Sequence, residues 1–555
     1  MSTLQNIGLS GLVAGRSSLD NTAQNVSNAL TEWYSRRENI LVPRQTHGST
    51  ERLMVAGVEI PEVRRVTDDF VTTRVWYTSG KYQQAQVLNS YLNQLDAILG
   101  GDHTGYSEPL DRFNRSLQRA AVNPEDLAVR QQVLGDARLA GLQLQTIQER
   151  LMAFHEQMDV QLNGLVTEVN QLAEFTAELN ERIRTVTVAG SDASDLLDNR
   201  NRVIDRLAEL AGVKVRQQDF QVVDVVLAGG EALVSGNEHA KLALSKGSGD
   251  PLKPEIRINN GQILLSMDRW SGMIGGIAEF RDSVLLHEQN SLGLQAAMLS
   301  GGCNRILTAG YGLDGNPGQG LFLATNDSSL LGQRVLPGSN TGSAQLTVTI
   351  DENTPENYVA SDYLVKFTSA TQCSVTRLKD KHTQVLNLSG TASIDGLNLN
   401  ITSGTAAAGD TYRLVPWRYQ AGDTKSILED PRKLGFAGLN PSATTPADRS
   451  NGPGDNSNLQ TLLNYMGGKG LNYSLAVEVD RQVSRVATDA SEAASREKAE
   501  KTLRTSARAE RDNLSGVNLD EEGANLIRFQ QYYQANVRVM AAGTMMVDEL
   551  LNLLT

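Results

Sequence analysis

The chain has 555 residues, 40% hydrophobic and 5% aromatic, with a formal net charge of −13. At roughly 100–200 residues per domain, that length predicts three or four folding units. The composition excludes wholesale disorder and collagen, and the scarcity of aromatics favours long helices and thin sheets.

The acidic balance, with no basic block, argues against nucleic acid as a partner. No stretch approaches the ~18 apolar residues of a membrane span. Met1–Asn6 has neither a basic nor an apolar region, so no cleaved secretory signal is expected.

Residues 4–30 carry Leu9, Leu12, Leu19, Ala23, Val26 and Leu30 at the 3–4 spacing of a coiled-coil seam, interrupted by Arg16. A second face reads Gly8, Gly11, Gly15, Ser18 and Thr22. Glycine costs up to ~1 kcal/mol inside a helix, so this face makes sense only where another helix packs closely. Residues 40–70 read as extended and turn-rich, and 71–99 as helix.

Asn123-Pro124-Glu125-Asp126 is a helix start, with a cap, a first-turn proline and first-turn acids. The stripe that follows is Leu144, Ile147, Leu151, Phe154, Met158, Leu162, Leu165, Val169, Leu172, Leu179, Ile183 and Val186. Unbroken from 125 to 186, this helix would be ~90 Å long, a strut or spacer rather than the inside of a compact enzyme. A short helix is expected at 194–211, strands from Val213 to Leu227, helix again at 272–299, and loop at 300–320.

From about 331 to 430 the period switches to two, through Leu346-Thr-Val348-Thr-Ile350, Tyr363-Leu-Val365-Lys-Phe367 and Tyr412-Arg-Leu414. Residues 438–456 read as a linker. Helix resumes over 473–513, and its mixed-sign face (Arg496, Glu497, Lys498, Glu500, Lys501) reads as solvated. Asn518 and Glu521 form a capping box for a last helix. That helix carries Leu526, Phe529, Tyr533, Val537, Met540, Val547, Leu551 and Leu554.

The fold class is therefore α+β and multidomain: long coiled-coil-like helices from both termini, with an inserted, mainly antiparallel β domain. The expected units are 1–60 with 514–555, a terminal helical domain; 61–330 with 440–513, a helical bundle with a small β subregion near 213–270; and 331–439, the β insert. The two terminal seams cannot bury themselves alone, so they pair with each other or with neighbouring copies.

Little in the chain points to catalysis. Six histidines show no metal-ligand helical spacing, and His155-Glu156 and His287-Glu288 lack the second histidine of a zinc protease motif. Both histidines read as solvated or rim positions. Gly310-Tyr311-Gly312-Leu313-Asp314-Gly315 matches GxGxxG literally, but Asn316-Pro317-Gly318 cannot open the helix that a dinucleotide site needs, so it reads as a turn. Cys303 and Cys373 have no CxxC or Cys/His neighbour, and a disulfide between them stays open. No cofactor or metal is expected.

The two ends carry a resemblance. Gly8-Leu9-Ser10-Gly11-Leu12-Val13-Ala14, Leu19-Asp20 and Asn25-Val26-Ser27-Asn28 resemble the start of the flagellar rod, hook and hook-associated protein family. Ser515-Gly516-Val517-Asn518-Leu519-Asp520-Glu521-Glu522 and Leu526-Ile527-Arg528-Phe529-Gln530-Gln531-Tyr532-Tyr533-Gln534-Ala535-Asn536 are similar to its end, in the hook-associated members rather than the hook protein. Leu196–Arg202, Gly310–Gly315 and Gly454–Asn458 agree with this. The likeness is strongest over the last 40 residues and weakest in the β insert. The family turn Gly-Tyr-[Ser/Thr]-Arg reads Trp33-Tyr34-Ser35-Arg36 here. Either the turn is built differently or Trp33 adds a packing contact.

The resemblance implies an extracellular structural part of the flagellum at the junction of hook and filament, with no catalysis. It implies export through the flagellar type III system on an uncleaved signal, and terminal helices forming an inner tube. Implied partners are the hook protein, the next hook-associated protein towards the filament, copies of the chain in a ring, and an export chaperone on the C-terminal helix. No nucleic acid and no membrane are among them. The expected assembly interface is Leu9, Leu12, Leu19 and Val26 with Leu526, Phe529, Tyr533, Val537, Met540, Val547 and Leu551. The alternatives are a hook or distal rod protein of the same family, or a secreted adhesin or enzyme with its site in the β insert.

Overall fold

The computed structural model describes residues 3–47, 53–101, 104–258, 261–444, 449–468 and 474–554. The chain starts as helix α1 (Thr3–Ser27), then forms an antiparallel hairpin of β1 (Arg37–His47) and β2 (Leu53–Arg65). This hairpin is the ordered form of the segment expected to be merely extended. Asp68 caps α2 (Asp69–Leu99) by accepting from the Phe70 and Val71 amides. Next come α3 (Ser107–Val122), which the sequence reading passed over, and α4 (Leu127–Val188), a single helix of 62 residues. Asp126 caps α4 through the Ala128 amide, three residues beyond the expected cap Asn123, which instead closes α3. At 1.5 Å per residue α4 runs ~90 Å. Nearly all of its expected stripe is buried, from Leu144 to Ile183, with Leu172 and Val186 half-buried.

Helix α5 (Ser194–Ala211) has the expected bounds and ends on Gly212 at φ 63°, the left-handed stop that glycine favours. Two small antiparallel sheets follow. One is β3 (Lys214–Gln217), β4 (Val223–Val226), β5 (Ala232–Ser235) and β6 (Glu238–His239). The other is β7 (Leu242–Ser245), β8 (Glu255–Ile258) and β9 (Ile263–Leu265). Helix α6 (Gly272–Glu279) passes through a π-helical stretch, Phe280–Leu285, into α7 (Leu286–Ala309). Here Phe280 stacks on Tyr91 with ring centroids 4.9 Å apart, and Phe154 meets both edge-on.

Helix α7 continues through residues 300–309, expected as loop. The reason is packing: a Cβ at Gly302 would strike the Tyr465 ring, and the Tyr465 hydroxyl donates to Met298 O at 2.8 Å. The glycines admit a neighbour rather than end the helix.

After the short α8 (Ser328–Leu331), the insert holds β10 (Val335–Pro337), β11 (Gln345–Ile350), β12 (Tyr363–Phe367), β13 (Gln372–Arg377), β14 (Thr383–Asn387), β15 (Ala392–Ile394), β16 (Leu397–Ser403) and β17 (Thr411–Leu414). Two antiparallel sheets form, in the orders β10-β17-β12-β13-β14 and β11-β16-β15. Alternation places Tyr363, Val365 and Phe367 of one sheet, and Leu346, Val348 and Ile350 of the other, in the core. Residues 417–437 then return to the helices, where Arg130 lies over the Phe436 ring at 4.3 Å.

Helix α9 (Ser457–Met466), another unexpected element, precedes α10 (Leu475–Ser515) and α11 (Leu519–Leu554). Helix α10 lies along α2. Its charged face is not simply solvated: Arg496 bonds Glu279 at 2.6 Å, Glu497 accepts from Asn89 at 2.6 Å, Arg504 reaches Glu209 at 3.0 Å and Arg508 reaches Asp205 at 2.9 Å.

Candidate assembly interface

The small-residue face of α1 meets α11 directly, and the two helices run antiparallel. A Cβ on Gly8 would lie 3.0 Å from the Met540 backbone nitrogen, one on Gly15 would lie 3.2 Å from the Tyr532 ring, and one on Gly11 would collide with the Asn536 side chain. On the other side, Gly543 faces Gln5 and Leu4. Gly8, Gly11, Gly15, Ser18 and Thr22 are all buried, as their pattern demands. The glycines lower the propensity of α1 and let two backbones approach.

The expected apolar seam lies elsewhere. Leu9 is 43% and Val537 43% exposed; Leu526, Tyr533, Met540 and Val26 are also exposed, while Leu12, Leu19, Phe529 and Val547 are half-buried. Leu551 lies in α11, but its side chain is outside the described residues. Of the two pairings left open by the sequence, the helices close on glycine and leave the large side chains largely uncovered.

Polar side chains rivet the hairpin onto α1. Ser10 Oγ donates to Ile7 O at 2.8 Å and accepts from the Val58 amide at 3.1 Å. Buried Asn25 donates to Arg37 O and accepts from the Arg37 amide, both at 3.0 Å, and its Oδ1 also accepts the Tyr34 hydroxyl at 3.0 Å. Burial pushes the Tyr34 phenol up to about 12, so it stays a donor at any physiological pH.

A joint connects this terminal unit to the helical domain. Asp198 of α5 accepts from Ser35 Oγ at 2.8 Å, the Ser35 amide at 3.2 Å and Arg65 Nη2 at 2.6 Å. Arg37 pairs with Asp195; burial alone would lower its pKa, and this bond raises it overall. The Arg36 amide donates to Ser515 O at 2.8 Å, and its guanidinium bonds Glu521 at 2.9 Å. Trp33 resolves the altered turn on both counts. Its φ is 66°, the left-handed region that glycine would occupy freely, and its ring is 5% exposed. The indole stacks on Trp76 at 6.3 Å, with the Arg511 guanidinium 4.5 Å from its centroid. Packing offsets a backbone cost of ~1–2 kcal/mol.

The other sequence motifs serve as latches. Arg200 of Leu196–Arg202 bonds Asn180 at 3.2 Å and Gln221 O at 2.5 Å, and burial lowers its pKa to about 10. Asn201 O accepts from the Trp76 indole at 3.2 Å. Gly310–Gly315 is a turn, with Gly315 at φ 74° and the Asn316 amide donating to Asp314 at 3.0 Å. Asp455 accepts from the Gly438 amide at 2.6 Å, and Asn458 donates to Ile306 O at 2.8 Å.

Two expectations about single residues change. His155 is buried rather than at a rim, bonded to Gln289 at 3.1 Å, and burial lowers its pKa to about 4. His287 is half-buried and lowered likewise to about 4. Cys303 and Cys373 are free and buried, and burial pushes their thiols to about 12 and about 11. The charges of the joint went unread in the sequence. Their one signal was charge on the inward side of α5, at Asp198, Arg200 and Asp205.

Among the described residues, no group of three or more His, Cys, Asp or Glu could hold a metal ion, and no helix is long and apolar enough to cross a membrane.

Residues 92–322 match the family model of the flagellar hook-associated protein FlgK helical domain. Residues 337–416 match that of the flagellar hook-associated protein 1 D2-like domain, and 511–553 that of the flagellar basal body rod FlgEFG protein C-terminal region. Flagellar hook-associated protein 1 of Salmonella typhimurium is 29% identical over 571 residues, covering 100% of both chains. Its counterpart in Escherichia coli K12 is 27% identical over 572 residues, again covering 100% of both. The solved flagellar hook junction protein FlgK of Burkholderia pseudomallei shares the fold, with a TM-score of 0.69 at 19% identity, covering 81% of this chain and 100% of that one.

Proposed function

We propose, from the premise that this chain belongs to the flagellar hook-associated protein 1 family, how it serves as a structural component at the hook–filament junction. Copies assemble as a ring outside the cell, at the distal end of the hook. Residues 1–60 with 514–555 form the inner tube, 61–330 with 440–513 the surrounding helical domain, and 331–439 an outward insert. The hook protein lies below and the next hook-associated protein above. The chain leaves the cell by the flagellar type III route without a cleaved signal, and it catalyses nothing. A chaperone covers the last helix before export, since an exposed stripe from Leu526 to Val547 invites aggregation.

One observation carries this reading: the α1–α11 pair closes on small residues and leaves Leu9, Leu526, Tyr533 and Val537 uncovered. The contacts that would bury them must come from another chain. Electron microscopy of a deletion strain tests it. Finished hooks without filaments are expected, with filaments restored by the wild-type chain. Loss of the hook itself would favour a rod or hook protein instead. A pull-down should lose the chaperone when residues 519–555 are removed, and undiminished capture would refute that docking site.

A further inference from the structure

Three Asn-Gly pairs occur in the chain, at 163–164, 260–261 and 451–452. Asparagine before glycine can close on itself, because the glycine amide lies near the side-chain carbonyl and no Cβ hinders the approach. Asn163 lies inside α4, where Gly164 belongs to the helical backbone ladder. Asn260 is outside the described residues. Asn451 is exposed, in the segment between the insert and α9, and Gly452 follows it at φ 101°, a region that glycine enters freely. The Gly452 N–H donates to the Ser450 hydroxyl at 3.1 Å. A hydroxyl turns on its own bond and releases an amide more readily than a helix carbonyl does.

The same asparagine belongs to a latch. Leu439 and Ser450 form an antiparallel bridge, and the Asn451 backbone N–H donates to Gly438 O at 3.2 Å. The Asn451 side chain bonds the carboxylate of Asp455, which also accepts from the Gly438 amide and the Ser457 hydroxyl, both at 2.6 Å. Burial alone would raise the Asp455 pKa, and these donors lower it overall. Asp455 therefore stays ionised at neutral pH among donors, one of which is an amide that hydrolysis can remove. The network closes the path by which the chain returns from the insert to α9.

We propose that Asn451 is a site of spontaneous deamidation, with water as the co-reactant, and that its conversion opens the Asp455 latch. Hydroxide takes the Gly452 N–H proton, and the nitrogen attacks Cγ of Asn451. A new N–C bond forms, the bond to the side-chain nitrogen breaks, and that nitrogen leaves as ammonia with a proton from water. Water then opens the five-membered succinimide at either carbonyl, giving aspartate or isoaspartate at position 451. Nothing is oxidised or reduced. Either product sets a second carboxylate where Asp455 had a donor, so a bond becomes a like-charge contact. Isoaspartate also lengthens the backbone by one methylene, which moves Ser450 out of register with Leu439. On the ring reading above, a copy between hook and filament cannot be exchanged while the filament stands, so conversion accumulates with the age of the flagellum. That consequence rests on the ring reading, whereas the chemistry is a property of the single chain.

Peptide mapping of the purified full-length chain, aged at mildly alkaline pH, tests the site. Position 451 should gain ~1 Da, as a mixture of aspartate and isoaspartate, well ahead of Asn163 and faster with each rise in pH. Hydrogen exchange around 438–457 should quicken roughly ten-fold in the aged chain and in freshly made Asn451→Asp, with α4 unchanged in both. Aged Asn451→Gln, which keeps the amide but closes its larger ring far more slowly, should exchange like fresh wild type. An intact Asn451 in the aged chain would overturn the proposal, and so would conversion of Asn163 at an equal rate. Equal quickening in aged Asn451→Gln and aged wild type, or unchanged exchange in Asn451→Asp, would refute the latch. A wild-type chain that fails to restore filaments in the deletion strain would overturn the ring reading and leave this site standing.

Discussion

Helices α1 and α4 carry the same 3–4 spacing of apolar residues and meet opposite fates. The α4 stripe is covered by the chain itself, by α2, α3, α5, α7 and the small sheets, until Leu144, Ile147, Leu151, Leu162 and Val169 are wholly buried. The α1 stripe has only α11 and the hairpin near it, and these take its glycine face, leaving Leu9 and Val13 in solvent. Their glycines differ too. A Cβ at Gly135 or Gly164 of α4 meets nothing within 4 Å, and only Gly141 is closely faced there, by Thr424 O, whereas at each of Gly8, Gly11 and Gly15 of α1 it meets α11. Periodicity therefore identifies a surface that must be covered without saying by whom, and the glycines show which face the chain covers itself. The helical domain with its insert has satisfied its own interior. The terminal pair has not.

Substitutions ordered by their effect on the isolated chain can break or sharpen that contrast. The largest effect is expected where the insert is fastened. Arg418 is fully buried and bonds Asp250 through both terminal nitrogens, at 2.8 and 2.7 Å, and it also pairs with Asp362. Asn290 of α7 donates to Asp362 at 3.0 Å, so the insert, the small sheets and the helices share one charged knot. Arg418→Met strands two buried carboxylates and should cost ~3–5 kcal/mol, read by urea unfolding. A loss below ~1 kcal/mol would mean the knot is wet.

Next comes the joint. Trp33→Gly relieves ~1–2 kcal/mol of backbone strain and removes ~1.5–3 kcal/mol of ring burial, a net loss of ~1 kcal/mol. Hydrogen exchange should report it as faster opening around residues 33–36, with α4 unaffected. Greater stability in this variant would show that strain outweighs packing there.

Acid should act on the helical domain through His155. Its folded pKa, about 4, lies below the unfolded value of ~6.5. Between those values the unfolded chain binds the extra proton, so stability falls as pH drops from ~6.5 towards about 4 and levels off below that. His287 acts in the same sense. Melting curves should show a shallower pH dependence in His155→Leu than in wild type, and equal slopes would refute the assignment.

Smaller still, Gly164→Ala should stabilise α4 by ~0.5–1 kcal/mol, because an unhindered methyl replaces a flexible backbone. The smallest effect on the single chain carries the largest one on assembly. Val537→Asp, at an exposed position, should change unfolding by less than ~0.5 kcal/mol. Yet it should leave hooks bare, because it places an unpaired carboxylate in every copy's proposed contact. Normal filaments from that variant would sink the interface reading.

Local signals in the sequence proved reliable where the determinants were local. The bounds of α5, the Asn518 start of α11 and the alternating strands at 346–350 and 363–367 follow from capping and period alone, whereas the start of α4 falls at Asp126 rather than Asn123 because Asn123 closes the preceding helix. Helix α9 went unread because it is short and follows a Pro/Gly/Asp linker. The end of α7 went unread because Gly301 and Gly302 resemble a loop until Tyr465 is in place. The division of the insert into two sheets depends on pairings such as Val348 with Leu399, far apart in the chain. At the site, both terminal stripes were legible, and so was the need for close packing at Gly8, Gly11 and Gly15. The Ser35–Asp198–Arg65 cluster was not, since its partners are up to 163 positions apart and each alone is an ordinary polar residue.

The α1–α11 pairing also sets an order in time. Gly8 meets Met540, so this contact closes a loop of more than 500 residues. A chain delivered from its N-terminus can fold its rod and insert, and dock the hairpin on α1, while the end is still arriving, but the glycine face of α1 has no partner until α11 is present. The terminal pair is thus a completeness check: a chain cut short before α11 leaves the glycine face of α1 open and cannot present the paired surface on which a neighbour would build.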